Sequence, residues 1–273
     1  MPSVVRPVDV LLEVRADVCQ EPTKRNVWLE AGPYVVRLAV TEKERTAAFR
    51  LRFLVFNLEL NEGLESAYED GYDVDRYDAV CDHLIVQHRE TGAVVGTYRL
   101  QMGDVARKNF GYYGEQEFDF SPYEGLRSQI VELGRACIHR DHRSSEVLNL
   151  LWKGIARYVI GNGGRYMIGC CSLPSLNNAE GHAVYKALKN YLVEPALMTL
   201  PTEKYRMPHA LRAETDKVEL ATPPKLLRAY LTIGAKICSE PAIDWEFKTI
   251  DFLTLLDLQT LHPRVAARFL EGC

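Results

Sequence analysis

The sequence of 273 residues predicts an α/β (α+β) fold in which one mixed central sheet is flanked by helices. Three observations support this fold class. Strand-like and helix-like segments alternate along the chain, two strands around a short turn indicate an antiparallel hairpin, and a central strand leads through a basic loop into a long helix. This order disfavours an all-α fold and a β-sandwich. We expect residues 1–30 to form an N-terminal arm and residues 31–273 a single domain.

Six strands and five helices are predicted from apolar periodicity and from turn and capping residues. The strands are residues 34–40, 82–88, 94–101, 129–138, 165–172 and 250–256. Helices are expected after Thr41, after Ser144 or Ser145, from Asn177 or Asn178 to about residue 190, over residues 225–237 and at the C-terminus. Thr41 and Glu44 fit a capping box. The longer connections are an acidic run at 59–82, an aromatic loop at 103–125 and a proline-interrupted stretch at 191–224.

The composition is that of an ordinary soluble globular protein, with 47% hydrophobic and 26% charged residues. The net charge of −4 gives no electrostatic reason to expect a nucleic-acid partner. The seven cysteines include no C-x-x-C pair, and several lie in apolar stretches, which indicates reduced thiols in a cytoplasm. The N-terminus lacks a signal-peptide core and no apolar run approaches the roughly 20 residues that span a bilayer, so we expect membrane contact to be peripheral at most.

Residues 129–154 hold the charges that first suggest a function. Glu132 and Arg135 lie in an apolar strand, where a charge is costly unless it is paired or used. Because they are three residues apart, a regular strand would place them on opposite faces. The loop after this strand is basic, and the free N–H groups at the start of the next helix favour phosphate. The predicted phosphate-binding residues are His139, Arg140, Arg143, Ser144 and Ser145.

Eight short motifs follow one another over roughly residues 35–270. They are Arg50-Leu-Arg-Phe-Leu-Val-Phe56, Cys81-Asp-His-Leu-Ile-Val86, Val95-Gly-Thr-Tyr-Arg-Leu100, Glu132-Leu-Gly-Arg-Ala-Cys137, Leu150-Leu-Trp-Lys-Gly-Ile155, Gly169-Cys-Cys-Ser-Leu-Pro174, Pro223-Pro-Lys-Leu-Leu-Arg-Ala-Tyr-Leu231 and Asp251-Phe-Leu-Thr-Leu-Leu-Asp257. In this order they resemble the bacterial amino-acid N-acyltransferases that make lyso-ornithine lipid. Those enzymes have the GNAT fold and are distant relatives of the acyl-homoserine-lactone synthases.

The chain departs from the wider pattern at two places. The Gln/Arg-x-x-Gly-x-Gly/Ala signature by which GNAT proteins bind acyl-CoA is absent, and residues 139–145 stand in its place. This difference favours the phosphopantetheine of acyl carrier protein over a full CoA clamp. Residues 56–60 also lack the tryptophan that follows this helix in the lactone synthases, which disfavours a lactone synthase.

The resemblance implies a mostly antiparallel GNAT-like sheet and a reaction. The reaction is transfer of a (3-hydroxy)fatty acyl group from acyl carrier protein to the α-amine of L-ornithine, giving lyso-ornithine lipid. The phosphopantetheine-linked donor is then a substrate, and no cofactor is expected. The alternatives are another acceptor, such as glycine, serine or a homoserine-lactone precursor, and a non-catalytic relative that binds acyl carrier protein or a membrane.

The resemblance also assigns candidate roles within the site. Glu132 is the candidate general base, with pairing to a buried arginine as the alternative, and Arg135 is the second candidate catalytic residue. Arg135 and Arg99 would anchor either the substrate carboxylate or a structural carboxylate such as Asp82. The candidate substrate-binding residues are Asp82, His83, Arg99, Arg50 and Arg52.

Several features keep two interpretations at this stage. Most carboxylates of the run 59–82 are expected on a solvated face, and one or two in a lid that attracts a dicationic acceptor. Arg140, Arg143, Lys153 and Arg157 could contact the acidic surface of acyl carrier protein. The helix at 225–237 is expected to line the acyl tunnel, the alternative being contact with an anionic membrane. The strand cysteines are expected to be inert, and without H-x-x-x-H, H-E-x-x-H or clustered Cys/His spacing we expect no metal.

Overall fold

The computed structural model describes residues 27–208 and 222–270, which form a nine-stranded sheet with helices on both faces. The strands are β1 (Trp28–Ala31), β2 (Tyr34–Leu38), β3 (Asp82–His88), β4 (Val94–Met102), β5 (Ile130–Ile138), β6 (Tyr166–Leu173), β7 (Lys236–Ile237), β8 (Ala242–Asp244) and β9 (Thr249–Asp257). They lie in the order β1-β2-β3-β4-β5-β6-β9-β7, and β8 pairs with β9. The predicted mixed, mostly antiparallel sheet is confirmed.

The centre of the sheet is its irregular part. All neighbouring strands are antiparallel except β5 and β6, which run parallel and pair only from Ile130–Tyr166 to Glu132–Ile168. Beyond Glu132 the two strands separate into a split. A Cβ on Gly169 would lie 2.4 Å from the carbonyl oxygen of Leu133, so a side chain at this position would clash where the strands diverge. The split leaves inner strand edges for another group to contact.

The described helices are α1 (Glu42–Arg52), α2 (Gly103–Lys108), α3 (Ser145–Gly161), α4 (Asn178–Ala187), α5 (Lys225–Ile233) and α6 (Pro263–Leu270). The predicted capping box of Thr41 and Glu44 starts α1, and α1 continues as a π-helix over Phe53–Leu60. Helix α3 packs its apolar face on β1–β5, where Val147, Leu151 and Val159 are fully buried. Helix α1 lies over the opposite face of the sheet, so each face has its own helical layer.

Elements that the sequence did not predict correctly are β1, the end of the helix at 225–237, and β8. Strand β1 begins at Trp28, inside the segment expected as an N-terminal arm at 1–30, and residues 1–26 of that arm lie outside the described part of the chain. The helix predicted over 225–237 ends at Ile233, because Gly234 adopts a left-handed φ of 111° that closes it, and the chain then enters β7. Strand β8 was missed because a three-residue strand has no readable periodicity. The predicted hairpin of β3 and β4 is confirmed.

None of the helices in the described ranges has the length and apolar character that crossing a membrane requires. Helix α3 is the longest helix among the described residues, and it carries polar residues along its outer face.

Candidate active site

A cavity of about 310 Å³ opens at the split between β5 and β6. Its lining includes Trp152 and Ala156 from α3, on one side of the sheet, and Glu132 and Arg99 from the opposite side. The cavity therefore crosses the sheet where strand pairing stops. One region is polar and the other apolar, as expected for a site that holds both a charged and a fatty group.

Glu132 is the last residue of β5 that is paired to β6. Its carboxylate accepts hydrogen bonds from the backbone N–H groups of Tyr113 (2.8 Å) and Gly114 (2.7 Å). Burial raises the pKa of Glu132 from 4.5 to about 7, although the two N–H donors act in the opposite direction. Its bonding partners are backbone donors, rather than the arginine that the alternative interpretation required. A buried carboxyl that titrates near neutrality can act as a general base.

Arg135 lies in a β-bulge, which overturns the expectation that it faces away from Glu132. The β4–β5 register shifts between Thr97 and Arg99, and Arg135 adopts a left-handed φ of 51°. One extra residue reverses the alternation of side chains, so Arg135 and Glu132 line the same cavity. The guanidinium of Arg135 lies 5.3 Å from the ring centre of Tyr113 and 4.2 Å from that of Phe247.

Three arginines and three aspartates form a buried ion-pair network beside the cavity. Arg52 binds Asp73 and, bidentately at 2.7 and 2.9 Å, Asp78. Arg99 contacts Asp75 at 2.6 Å, and Arg135 contacts the same carboxylate at 3.0 Å. Burial alone would raise the pKa of Asp78, but Arg52 and Arg99 outweigh it and hold the pKa well below its ordinary value. The network holds Arg99 and Arg135 in place at the cavity lining.

These three aspartates correct the interpretation of residues 59–82. Asp73 and Asp78 are fully buried and the side chain of Asp75 is 17% exposed, whereas most carboxylates of this run were expected in solvent. The partners lie 21–26 residues apart along the chain, which is why composition alone suggested a solvated run. The exposed part of the run includes Glu65, Glu69 and Asp70.

The remaining predicted substrate-binding residues are held by contacts away from the cavity lining. His83 is buried, contacts the carbonyl of Asp78 through Nε2 at 3.1 Å, and burial lowers its pKa to about 4. Asp82 accepts a 2.7 Å hydrogen bond from the hydroxyl of Tyr158. Arg50 is exposed and donates to the carbonyl of Gly71, and Arg52 belongs to the ion-pair network. None of these four side chains is among the residues that line the cavity.

The predicted phosphate-binding loop lies between β5 and α3. Ser144 is the N-cap of α3 and accepts from the N–H of Val147, and Ser145 is the first residue of the helix. Arg143 pairs bidentately with Glu59 at 2.6 and 2.8 Å, whereas the side chain of Arg140 is 75% exposed. His139 accepts from the N–H of Asp141. The loop thus presents Arg140 outward and uses Arg143 to hold the end of the π-helix.

The apolar region of the cavity lies among α3, α5 and α6. Leu226, Leu227, Tyr230 and Ile233 of α5 contribute to the lining, as does Phe269 of α6. The Tyr230 hydroxyl lies 2.6 Å from the hydroxyl of Tyr98 in β4, so the two form a hydrogen bond between α5 and the sheet. This placement agrees with the tunnel interpretation of residues 225–237.

Sequence reasoning missed a second carboxylate group in the cavity, formed by Glu117, Asp244 and Asp251. One carboxylate oxygen from each lies within 4.8 Å of the other two, a spacing that could also hold a metal ion. Burial and the two aspartates raise the pKa of Glu117 well above its ordinary value, and burial raises that of Asp251 to about 6. No spacing rule could have joined them, because they come from the aromatic loop and from the β8–β9 hairpin.

The cysteines of the central strands have the environment expected of inert thiols. Burial raises the pKa of Cys137 and of Cys171 to about 12, and that of Cys170 well above its ordinary value. Such thiols are protonated at neutral pH and are poor nucleophiles. Direct transfer of an acyl group therefore suits this site better than an acyl-cysteine intermediate.

The split sheet and the buried carboxyl beside it define a GNAT-type N-acyltransferase. A family model described as an acetyltransferase (GNAT) domain matches residues 51–153. The AHL synthase LasI has a similar fold, with a TM-score of 0.50 and 14% identity, over 89% of this chain and 97% of that one.

Two similar sequences are both described as L-ornithine N(alpha)-acyltransferase. The one from Rhizobium meliloti (strain 1021) is 33% identical over 246 residues, covering 84% of this chain and 81% of the relative. The one from Brucella abortus (strain 2308) is 31% identical over 249 residues, covering 85% and 87%. The chain belongs to the L-ornithine N(alpha)-acyltransferase family.

Proposed function

We propose that this N-acyltransferase moves a (3-hydroxy)fatty acyl group from acyl carrier protein to the α-amine of L-ornithine, giving lyso-ornithine lipid. The observation that carries the proposal is the position of Glu132 in the split, with a charged region of the cavity on one side of the sheet and an apolar region on the other. The relatives' name supports the acceptor.

The chemistry is aminolysis of a thioester. The neutral α-amine attacks the thioester carbonyl, a C–N bond forms, Glu132 takes the amine proton, and the C–S bond breaks. The proton then returns to the leaving sulfur, which departs as the thiol of phosphopantetheine. A pKa of about 7 suits Glu132 to accept and release this proton near neutral pH.

Arg135 is proposed to bind the α-carboxylate of the acceptor. Its Nε is buried 3.6 Å from a carboxylate oxygen of Asp73, too far for a hydrogen bond, and its side chain lines the cavity. A planar guanidinium with spare donors matches a carboxylate. Arg99 also lines the cavity and contributes positive charge there, while Asp75 and Asp78 already hold its Nη1.

The donor arm is proposed to lie in the split, where the inner edges of β5 and β6 offer backbone groups to its amides. Its acyl chain would extend among α3, α5 and α6, and its phosphate would meet the loop before α3. Exposed Arg140 supports contact with an acidic carrier. The protein would act in the cytoplasm and deliver its product through peripheral contact with the inner membrane. No cofactor enters this scheme.

The test is a mass-spectrometric assay with purified protein, an equimolar pool of amino acids, and 3-hydroxyacyl groups supplied on acyl carrier protein or on CoA. We expect Nα-(3-hydroxyacyl)ornithine, formed faster from the carrier than from CoA. A different N-acyl amino acid would overturn the acceptor. Turnover from CoA alone would overturn the carrier as donor.

A further inference from the structure

We propose that Glu117, Asp244 and Asp251 form the subsite for the side-chain ammonium of the acceptor, and so select a diamino acid over a neutral one. The inference rests on the proposed function, because it assumes that an amino acid enters the cavity with its α-amine at Glu132. It assigns a recognition role to three residues outside the catalytic strand.

The three carboxylates face a common point inside the cavity. All three residues line it, and each is buried, with residue exposures of 1% for Glu117, 2% for Asp244 and 4% for Asp251. One oxygen from each lies within 4.8 Å of the others. A primary ammonium has three N–H donors, so a point between three carboxylate oxygens can satisfy all of them.

The acceptor capacity of the group is partly unused. Neither carboxylate oxygen of Glu117 has an N–H or hydroxyl donor among the described residues, and its hydrogen-bonding neighbours are the Asp251 carboxyl and the Cys170 thiol. Oδ1 of Asp251 also lacks a well-placed donor, although the Ser172 hydroxyl acts on the Asp251 carboxyl. Asp251 Oδ2 accepts from the hydroxyl of Thr249 at 3.2 Å, and Asp244 Oδ1 accepts from the N–H groups of Glu246 and Phe247. Buried carboxylate oxygens without donors are costly, which indicates that a ligand supplies the donors.

The charge distribution also calls for a cation. In the neighbouring network Arg52, Arg99 and Arg135 are matched by three aspartates, so that network is electrically balanced. In the described ranges, 27–208 and 222–270, the second group has no ion pair with a basic side chain. Half-buried Glu62 adds a fourth carboxyl to the lining, and its pKa is raised by burial and by Asp251.

Two contacts connect the subsite to the reacting centre. Tyr113 donates its backbone N–H to Glu132. Burial, together with the charges of Glu117, Asp244 and Asp251, raises the pKa of the Tyr113 phenol. Phe247 places its ring 4.2 Å from the Arg135 guanidinium and donates its N–H to Asp244. An amino acid whose α-carboxylate meets Arg135 and whose α-amine meets Glu132 would therefore direct its side chain toward the three carboxylates.

The test compares L-ornithine with L-norvaline, which has the same carbon chain and no side-chain amine. For the wild-type protein we expect kcat/KM to favour ornithine by at least about 100-fold, since unpaired buried polar groups reject an analogue that lacks the matching group. In Glu117→Gln and Asp251→Asn we expect this ratio to fall by about 10- to 100-fold for each substitution. Glu203→Gln is the matched control, because this side chain is 85% exposed on the surface.

The outcomes separate this inference from the proposed function. A wild-type protein that acylates ornithine, but whose ratio is unmoved in both variants, overturns the subsite and leaves the acceptor assignment intact. Equal use of norvaline and ornithine by the wild type would also overturn the subsite and keep the acceptor assignment. This comparison needs no variant, so it is valid even if a variant fails to fold. No acylation of ornithine at all would overturn the proposed acceptor itself. Loss of the ornithine preference after EDTA treatment, with recovery on adding Mg²⁺, would show that the three carboxylates bind a metal ion and not the ammonium, and would overturn the inference.

Discussion

Glu132→Gln tests the catalytic assignment most directly, because it removes the base and keeps the shape of the side chain. The carboxamide oxygen can still accept one of the two backbone hydrogen bonds, from Tyr113 or Gly114. A positioned general base contributes about 10²- to 10⁴-fold to the rate. We therefore expect kcat to fall by this amount while the carrier still binds. Release of the carrier thiol and product mass would be followed together.

The pH profile gives the same prediction a second readout. The reaction needs Glu132 ionised and the α-amine neutral. The pKa of Glu132 is about 7, and that of a free amino acid's α-amine lies above the roughly 7.7–8.0 of a peptide α-amine, because its own carboxylate stabilises the ammonium. For the wild type, log kcat/KM should rise with a slope of two below pH 7 and a slope of one between the two pKa values. In Glu132→Gln the slope should be one at every pH below the pKa of the amine. A slope of two that persists in the variant would refute Glu132 as the base.

Stability measurements check the same pKa shift without any substrate. Burial raises the pKa of Glu132 from 4.5 to about 7, so the native state holds this proton more tightly than the unfolded state. The resulting stabilisation is fully present below pH 4.5 and is lost as the pH rises through 7. The shift corresponds to about 3 kcal/mol. The difference in unfolding free energy between wild type and Glu132→Gln should change by about this amount from pH 4.5 to pH 8; a constant difference would contradict the raised pKa.

Two further predictions address the network and the tunnel. Asp78→Asn leaves the buried Arg52 guanidinium without its bidentate partner, so we expect a loss of about 3–5 kcal/mol in urea unfolding, whereas the exposed Asp70→Asn should change stability by less than about 0.5 kcal/mol. A loss equal to that of the control would show that the network is not stabilising. Ala156→Phe fills part of the apolar cavity, and we expect the preferred acyl donor to become shorter, measured as kcat/KM over a chain-length series. An unchanged chain-length optimum would place the acyl group elsewhere.

The elements that the sequence predicted well are those whose signals are local. The capping box at Thr41, the hairpin of β3 and β4, and the start of α3 at Ser144 each depend on residues a few positions apart. The family resemblance located Glu132, and the structure adds the two backbone donors that hold it.

What could not be predicted depends on single backbone angles or on distant partners. No feature of the strand sequence predicts the left-handed φ of Arg135, and this angle determines the face of the sheet on which its side chain lies. The aspartate partners of Arg52 lie in an acidic run that resembles a solvated surface. Glu117 and Asp251 are more than 100 positions apart, and only the folded sheet brings their carboxylates together.

The three-residue pairing of β5 and β6 has a consequence for local opening of the sheet. The sheet consists of two well-paired halves, β1–β5 and β6–β9, and this short seam is their only strand-to-strand link within the described residues. Amides on the inner edges of the seam, in residues 133–136 and 169–172, exchange with solvent unless another chain or ligand hydrogen-bonds to them. A donor arm lying in the split would act as an additional strand between the halves. Hydrogen–deuterium exchange at these two segments would therefore report occupancy of the site independently of turnover.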